Sequence, residues 1–142
     1  MGSKRILGVV LFEGFELLDV FGPLEMFGLA ADHFEFRLIS ETGGVVASRQ
    51  GPKSVCDDSF QSAPAIDVLL VPGGIGTRRE VNNPVLLDWL NERSKQAELV
   101  ASVCTGSALL AKAGVLDGLR ATSNKLAFAW ACSQSEKRPW RQ

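Results

Sequence analysis

Cys104 stands in the stretch ASVCTGSALLAKAG (residues 101–114), between an apolar run and a helix-forming run of small residues. A cysteine at a strand-to-helix turn sits on a sharp bend that lifts its side chain above the edge of the sheet. The unpaired N–H groups and the dipole at the start of the helix favour the thiolate, which is the nucleophilic form. The position predicts a nucleophile or, because unpaired cysteines are among the most buried residues, a side chain that only packs in the core.

Asp19 is the main acidic candidate for a partner of this cysteine. It follows the first predicted strand by a short loop, so it would lie at the same sheet edge, where its apolar neighbours would desolvate its carboxyl group and raise its pKa. A protonated Asp19 would hydrogen-bond the Cys104 sulfur and pass on a proton; the alternative is that Asp19 caps its helix. His33, the single histidine, precedes a predicted strand and is expected at the surface. The weaker acid/base candidates are Glu13, Glu16 and Glu25.

Two backbone features would complete such a site. Gly73 and Gly74 follow a buried strand, and Gly74, which has no side chain, would bring an N–H group close to the cysteine from the neighbouring loop. The N–H groups at the start of the helix after Cys104 would bind an oxyanion. Thr105 either hydrogen-bonds within the site through its hydroxyl group or only begins the helix.

These residues need a scaffold that gathers the ends of several strands at one edge. Short apolar or alternating runs with many β-branched residues are typical of strands that are buried in a sheet. Gly51-Pro52 indicates the turn of an additional hairpin. The predicted strands of the sheet are residues 5–12, 34–40, 66–74 and 97–103.

Helical patterns separate these strands. Gly22-Pro23 interrupts the first pattern, so we expect a short turn that ends near Phe21 and then a helix from about Pro23. The other predicted helices are residues 82–96, 105–114 and 124–134. Strand–helix alternation predicts an α/β fold with a mostly parallel central sheet, covered on both faces by helices, in a single domain that spans residues 1–142. Ligands bind such sheets at the carboxyl ends of the strands.

Composition and charge exclude several classes of function. The formal net charge is -1, so no basic excess indicates nucleic acid, and no run approaches the roughly 18 apolar residues that a membrane span needs. Cys56, Cys104 and Cys132 have wide spacings that fit neither a metal site nor a disulfide framework. We therefore expect no metal or organic cofactor, a reducing cytoplasmic location, and core packing of Cys56 and Cys132.

Three stretches together resemble one known family: LLDVFGPLEMF at residues 17–27, VPGG at 71–74 and SVCTGSALLAKAGVLDGLRATSN at 102–124 are similar to the ThiJ/PfpI family of the class-I glutamine-amidotransferase-like superfamily. The resemblance covers nearly the whole chain, in order. It implies a flavodoxin-like α/β three-layer sandwich with a nucleophile elbow at Cys104, a small-molecule substrate and a homodimer. Family members usually continue further, so it also implies that the last strand and helix of the family fold are missing here.

The combination of LDVFGP and CTG is similar to the isonitrile hydratase branch, with Thr105 where many members have histidine and Asp19 where many have glutamate. The resemblance implies a lyase in which Cys104 attacks an isonitrile, Asp19 relays protons, and Gly73, Gly74 and Thr105 shape the oxyanion site. Two alternatives stay open. One is a glyoxalase-, deglycase- or amidase-like enzyme; the other is a non-catalytic relative that binds a ligand or senses oxidants through Cys104.

Overall fold

A computed structural model describes residues 2–137 and 140–142 of the chain. In chain order, these residues form β1 (Arg5–Val10), α1 (Leu17–Gly28), β2 (Phe34–Ser40), β3 (Val45–Ala47), β4 (Lys53–Val55), β5 (Asp58–Ser59), β6 (Val68–Val71), α2 (Thr77–Glu80), α3 (Pro84–Gln96), β7 (Leu99–Ser102), α4 (Gly106–Lys112) and α5 (Phe128–Cys132). Within this part of the chain, no helix is long and apolar enough to span a membrane.

The central sheet has the strand order β5-β2-β1-β6-β7, and every neighbouring pair is parallel. The strands β3 and β4 form a separate antiparallel hairpin around Gly51-Pro52. The prediction of an α/β fold with a mostly parallel sheet is therefore confirmed. Val71 at the end of β6 lies beside Ser102 at the end of β7, so the loops that follow these two strands leave the sheet at the same edge.

The core explains why the inner strands are so apolar. Leu7 and Val9 of β1 and Leu69 and Val71 of β6 are fully buried, because these strands have a neighbour on each side and helices pack on the sheet. The helix α4 follows β7 directly and is buried along residues 106–111. Burial on this scale anchors the end of β7 and the start of α4, the two elements that flank Cys104.

The first helix differs from the prediction. It runs without a break through Pro23, so the predicted turn and later helix start are wrong. A proline inside a helix removes one N–H donor and costs about 3 kcal/mol. Val20 is fully buried before the proline, and Leu24 and Phe27 pack against the core after it. This packing on both sides of Pro23 overrides the local preference for a break.

The last helix is shorter than predicted. It covers Phe128–Cys132, whereas we expected helix over residues 124–134. The side-chain oxygen of Asn124 accepts hydrogen bonds from the N–H groups of Leu126 and Ala127. An asparagine that bonds the backbone two and three residues ahead offers a turn in place of the helix, which is why the helix begins late.

The other small predictions have mixed outcomes. Cys56 is buried in the core, as expected, whereas Cys132 on α5 is only half-buried. His33 is exposed just before β2, as expected. The short strand β5 and the single-turn helix α2 were not predicted, because two- and four-residue elements carry too little periodicity to be recognised.

Candidate active site

Cys104 lies on the turn between β7 and α4, with a backbone φ of 54°. Among the described residues, no other non-glycine residue has a positive φ. This conformation costs about 1–3 kcal/mol and persists only where surrounding contacts impose it. Here the Cys104 carbonyl oxygen accepts hydrogen bonds from the hydroxyl groups of Ser107, at 3.1 Å, and Ser123, at 3.2 Å. The chain thus forms the strained elbow predicted for a nucleophile.

Two glycines allow the backbones around this elbow to touch. A Cβ atom on Gly106, the first residue of α4, would lie 2.2 Å from the carbonyl oxygen of Val71. A Cβ atom on Gly73 would lie 2.6 Å from the Thr105 nitrogen and 3.0 Å from Asp19 Oδ2. Only glycine fits at either position without displacing backbone, so the loop after β6 packs directly against the elbow.

Asp19 is in the first turn of α1 and is 8% exposed. Its Oδ2 accepts a hydrogen bond from the Gly73 N–H group at 3.0 Å. The N-cap of α1 is Glu16, which makes no side-chain capping bond, so the alternative that Asp19 caps this helix is wrong. The sequence could not show this acceptor role, because Gly73 is 54 residues away.

The Asp19 carboxyl group is held toward its protonated form. Burial raises its pKa above the ordinary value, the Gly73 hydrogen bond lowers it in part, and the nearby Glu16 carboxylate raises it further. Desolvation is the largest of these effects because the charged carboxylate loses its water. The raised pKa expected from the apolar neighbours is therefore found.

Thr105 is buried at the start of α4, and its hydroxyl group faces the loop after β6 rather than capping the helix. Its Oγ1 accepts a hydrogen bond from the Gly74 N–H group at 3.0 Å. Thr77 Oγ1 lies 3.1 Å from Thr105 Oγ1 and donates to the Gly74 carbonyl oxygen at 2.7 Å. The N–H groups of Gly73 and Gly74 thus already have acceptors, and neither meets an oxyanion unless that bond is exchanged.

One cavity of about 360 Å³ brings the main candidates together. Cys104, Thr105, Gly74 and Asp19 all lie on its wall, and so does Glu16. The sequence analysis missed the other lining residues, because their loops and short helix carry no local signal that places them here: Arg49, Ile75, Arg78, Asn124 and Ala127.

Two of the weaker acidic candidates lie elsewhere. Glu13 lines a different cavity, at the ends of β1 and β2, and Glu25 is exposed on α1. Within residues 2–137 and 140–142, no group of three or more His, Cys, Asp or Glu side chains could hold a metal ion. The side chains on the wall of the Cys104 cavity supply a thiol, two carboxyl groups, a hydroxyl group and two guanidinium groups.

We expect iodoacetamide to modify Cys104 well before Cys56 in the native protein. Cys104 is half-buried on the cavity wall, whereas Cys56 is buried, and that burial raises the pKa of its thiol and so lowers its thiolate fraction. The order of labelling is read by intact mass and peptide mapping in a Cys132→Ser background. In the same background Cys104→Ser should leave only slow labelling; a first label on Cys56 would contradict the assignment.

Comparison with known proteins gives one family. The profile of the DJ-1/PfpI family matches residues 4–132. A protein described as "Uncharacterized protein in cpoL 5'region" of Streptomyces lividans is 38% identical over 127 residues, which cover 87% of this chain and 89% of that protein. Isonitrile hydratase of Pseudomonas putida is 34% identical over 118 residues, which cover 83% of this chain and 51% of the enzyme.

A solved structure shares the fold. The crystal structure of a ThiJ/PfpI family protein from Pseudomonas syringae matches with a TM-score of 0.81 and 29% sequence identity, over 85% of this chain and 50% of that one. The flavodoxin-like fold expected from the resemblance is therefore confirmed. The chain spans about half the length of the isonitrile hydratase and of the Pseudomonas syringae protein.

Proposed function

The chain belongs to the DJ-1/PfpI family, and from that premise we propose that it hydrates an isonitrile, with Cys104 as nucleophile and Asp19 as general acid. One observation carries the proposal: a cysteine on a strained elbow and a buried carboxyl group with a raised pKa open onto the same cavity. A nucleophile and a proton donor in one partly enclosed site are what addition to an isonitrile carbon requires.

The reaction balances with these two groups and one water molecule. The Cys104 thiolate attacks the terminal carbon of R–N≡C and forms an S–C bond, while Asp19 gives its proton to that carbon, which leaves a thioimidate. Water adds to the same carbon and transfers one proton to the nitrogen. The remaining O–H proton returns to Asp19 as the C=O bond forms and the C–S bond breaks. The products are R–NH–CHO and the original thiolate and acid.

The backbone amides take different roles in this proposal. The Gly73 N–H group stays on Asp19 and positions its carboxyl group. The Gly74 and Thr105 N–H groups are assigned to the oxygen that water adds to the substrate carbon, which gains negative charge as its proton leaves, with the Gly74 bond to Thr105 Oγ1 exchanged for one to this oxygen. A small-molecule substrate, a homodimer and a cytoplasmic location remain predictions that accompany the proposal.

Turnover of cyclohexyl isocyanide to N-cyclohexylformamide tests the proposal. Because the thiolate forms the covalent bond, we expect Cys104→Ser to lower kcat by about 10³-fold or more. Cys56→Ala is the matched control, since it removes a thiol that lies in the core away from the cavity, and it should keep most of the activity.

Other outcomes would overturn the proposal in favour of a named alternative. Turnover of methylglyoxal but of no isonitrile would indicate the glyoxalase- or deglycase-like alternative. Turnover of neither, together with a peroxide-dependent gain of mass at Cys104, would indicate an oxidant sensor.

A further inference from the structure

We infer that the ligand of the Cys104 cavity carries a carboxylate group, which Arg49 and Arg78 bind at the cavity wall. The inference rests on the proposed function only for the reacting group of the ligand. The binding of its carboxylate group does not depend on that function. The arginines come from separate parts of the chain. Arg49 lies in the hairpin turn between β3 and β4, and Arg78 lies on α2.

The hairpin turn is fixed against the site, so Arg49 is not on a detached loop. The Arg49 N–H group donates to the carbonyl oxygen of Phe15 at 2.9 Å, and the Gly14 N–H group donates to the carbonyl oxygen of Ala47 at 2.9 Å. Both contacts join the hairpin to the segment that leads into α1. The same segment leads to Asp19, so Arg49 and Asp19 are positioned by one piece of backbone.

Arg78 is oriented by an aromatic ring. Its guanidinium carbon lies 3.7 Å from the centre of the Trp130 ring. Stacking on a ring fixes the plane of a guanidinium group and leaves the N–H donors on its edge available. A planar group with two parallel donors matches the geometry of a carboxylate.

The donors of both cavity arginines lack acceptors in the described part of the chain. Arg37, Arg79 and Arg93 each bond a carboxylate or a backbone carbonyl oxygen there. No hydrogen bond or ion pair joins the guanidinium group of Arg49 or Arg78 to a residue in 2–137 or 140–142. Their hydrogen-bonding capacity is therefore directed to solvent or to a ligand in the cavity.

The carboxyl groups of the cavity wall do not pair with its two arginines. The acidic groups on this wall are Glu16 and Asp19. Glu16 accepts a hydrogen bond from the side-chain amide of Gln50, and Asp19 accepts one from the Gly73 N–H group. Neither carboxyl group bonds Arg49 or Arg78, so a ligand carboxylate would supply the acceptors that the two guanidinium groups lack.

Alkylation with a charged and a neutral reagent tests the inference without any assumption about catalysis. Iodoacetate and iodoacetamide react alike: the thiolate displaces iodide and forms an S–C bond, but only iodoacetate carries a carboxylate. We expect the iodoacetate-to-iodoacetamide rate ratio at Cys104 to exceed that of free cysteine by about tenfold, the effect of one favourable charge-assisted contact. Any change in the thiolate fraction cancels in this ratio.

Substitutions of the two arginines test whether they cause the raised iodoacetate-to-iodoacetamide rate ratio. Arg49→Gln and Arg78→Gln should each lower the ratio several-fold, and the double variant should approach free cysteine. Arg78→Lys should keep only part of the effect, because it retains the charge but loses the planar pair of donors and the stacking on Trp130. Arg5→Gln is the matched control: it removes the same charge from the start of β1, at the opposite end of the sheet, where Arg5 pairs with Glu98. A wild-type ratio equal to that of free cysteine, or an equal loss in Arg5→Gln, would overturn the inference.

Turnover of isocyanoacetate and of its methyl ester separates this inference from the proposed function. If both hold, kcat/KM for isocyanoacetate exceeds that for the ester, and the preference falls in Arg49→Gln and Arg78→Gln. A raised alkylation ratio with no turnover of either compound supports the carboxylate site and overturns isonitrile hydration. Equal turnover of both compounds, with an alkylation ratio like that of free cysteine, supports the reaction and overturns the carboxylate site.

Discussion

Asp19→Asn is expected to abolish isonitrile turnover, by about 10³-fold or more in kcat, while Cys104 still reacts with iodoacetamide at close to the wild-type rate. Asparagine has the same shape, and its side-chain oxygen can accept the hydrogen bond that Gly73 donates to Asp19 Oδ2. It has no proton to give to the isonitrile carbon. Loss of both reactions together would mean that the substitution disturbs the elbow rather than the acid.

The pH dependence of turnover by the wild-type protein tests the role proposed for Asp19 in a second way. The proposed function makes the protonated form of Asp19 the active one, and burial is the main cause that raises its pKa, so kcat/KM should fall as pH rises through that pKa. Any residual activity of Asp19→Asn should lack this fall. An unchanged pH profile in the variant would assign the titration to another group.

The Asp19→Asn substitution should stabilise the protein at neutral pH although it removes the proton donor. The folded chain holds the Asp19 proton more tightly than the unfolded chain, whose reference pKa is 3.8. The stabilising contribution of this proton is therefore complete below that reference value and is lost as pH rises through the raised folded pKa. We expect Asp19→Asn to be more stable than wild type at neutral pH and to lose that advantage near pH 3, as measured by urea unfolding.

Gly106→Ala is expected to lower the free energy of unfolding by about 3 kcal/mol or more, the upper range for a forced collision in a packed interior. The added Cβ atom would lie 2.2 Å from the Val71 carbonyl oxygen and 2.8 Å from that of Pro72. Both are backbone atoms at the end of a central strand, so the collision cannot be relieved by a rotamer change. For a chain of this size, the midpoint of thermal unfolding should fall by roughly 10 °C.

The matched control for this prediction is Gly28→Ala at the end of α1. A Cβ atom there meets nothing within 4 Å, and Gly28 does not have a positive φ. Because alanine is the better helix former, this variant should be neutral or more stable by up to about 1 kcal/mol. If Gly106→Ala unfolds at the same temperature as Gly28→Ala, then α4 does not pack on β6 at this distance.

Local signals were sufficient for much of the scaffold. The strands β1, β6 and β7 could be predicted from their apolar runs, because burial on both faces of a sheet requires several consecutive hydrophobic residues. The elbow at Cys104 could be predicted because a strand pattern and a helix pattern meet there. The hairpin could be predicted because Gly51-Pro52 favours a turn. In each case the decisive residues are neighbours in the chain, so their own conformational preferences settle the structure.

The local signals failed where distant contacts compete with those preferences. Pro23 predicts a break, but core packing on both of its sides keeps α1 continuous. Aspartate is a common helix-capping residue, yet Asp19 Oδ2 accepts its hydrogen bond from the Gly73 N–H group rather than from the start of its own helix. Nothing in the short stretch around Gly106 shows that its Cα must lie against β6.

Only some residues of the candidate site could be predicted from the sequence. Cys104 could be selected from its position and Asp19 from its position together with the family resemblance, but Thr77, Arg49 and Arg78 join them only through the fold. The strand order β5-β2-β1-β6-β7 sets beside one another the loops that follow β1, β6 and β7, which are far apart in the chain. Strand pairing and core burial fix that order, and they act between residues tens of positions apart, so no local pattern of side chains records which loops will meet.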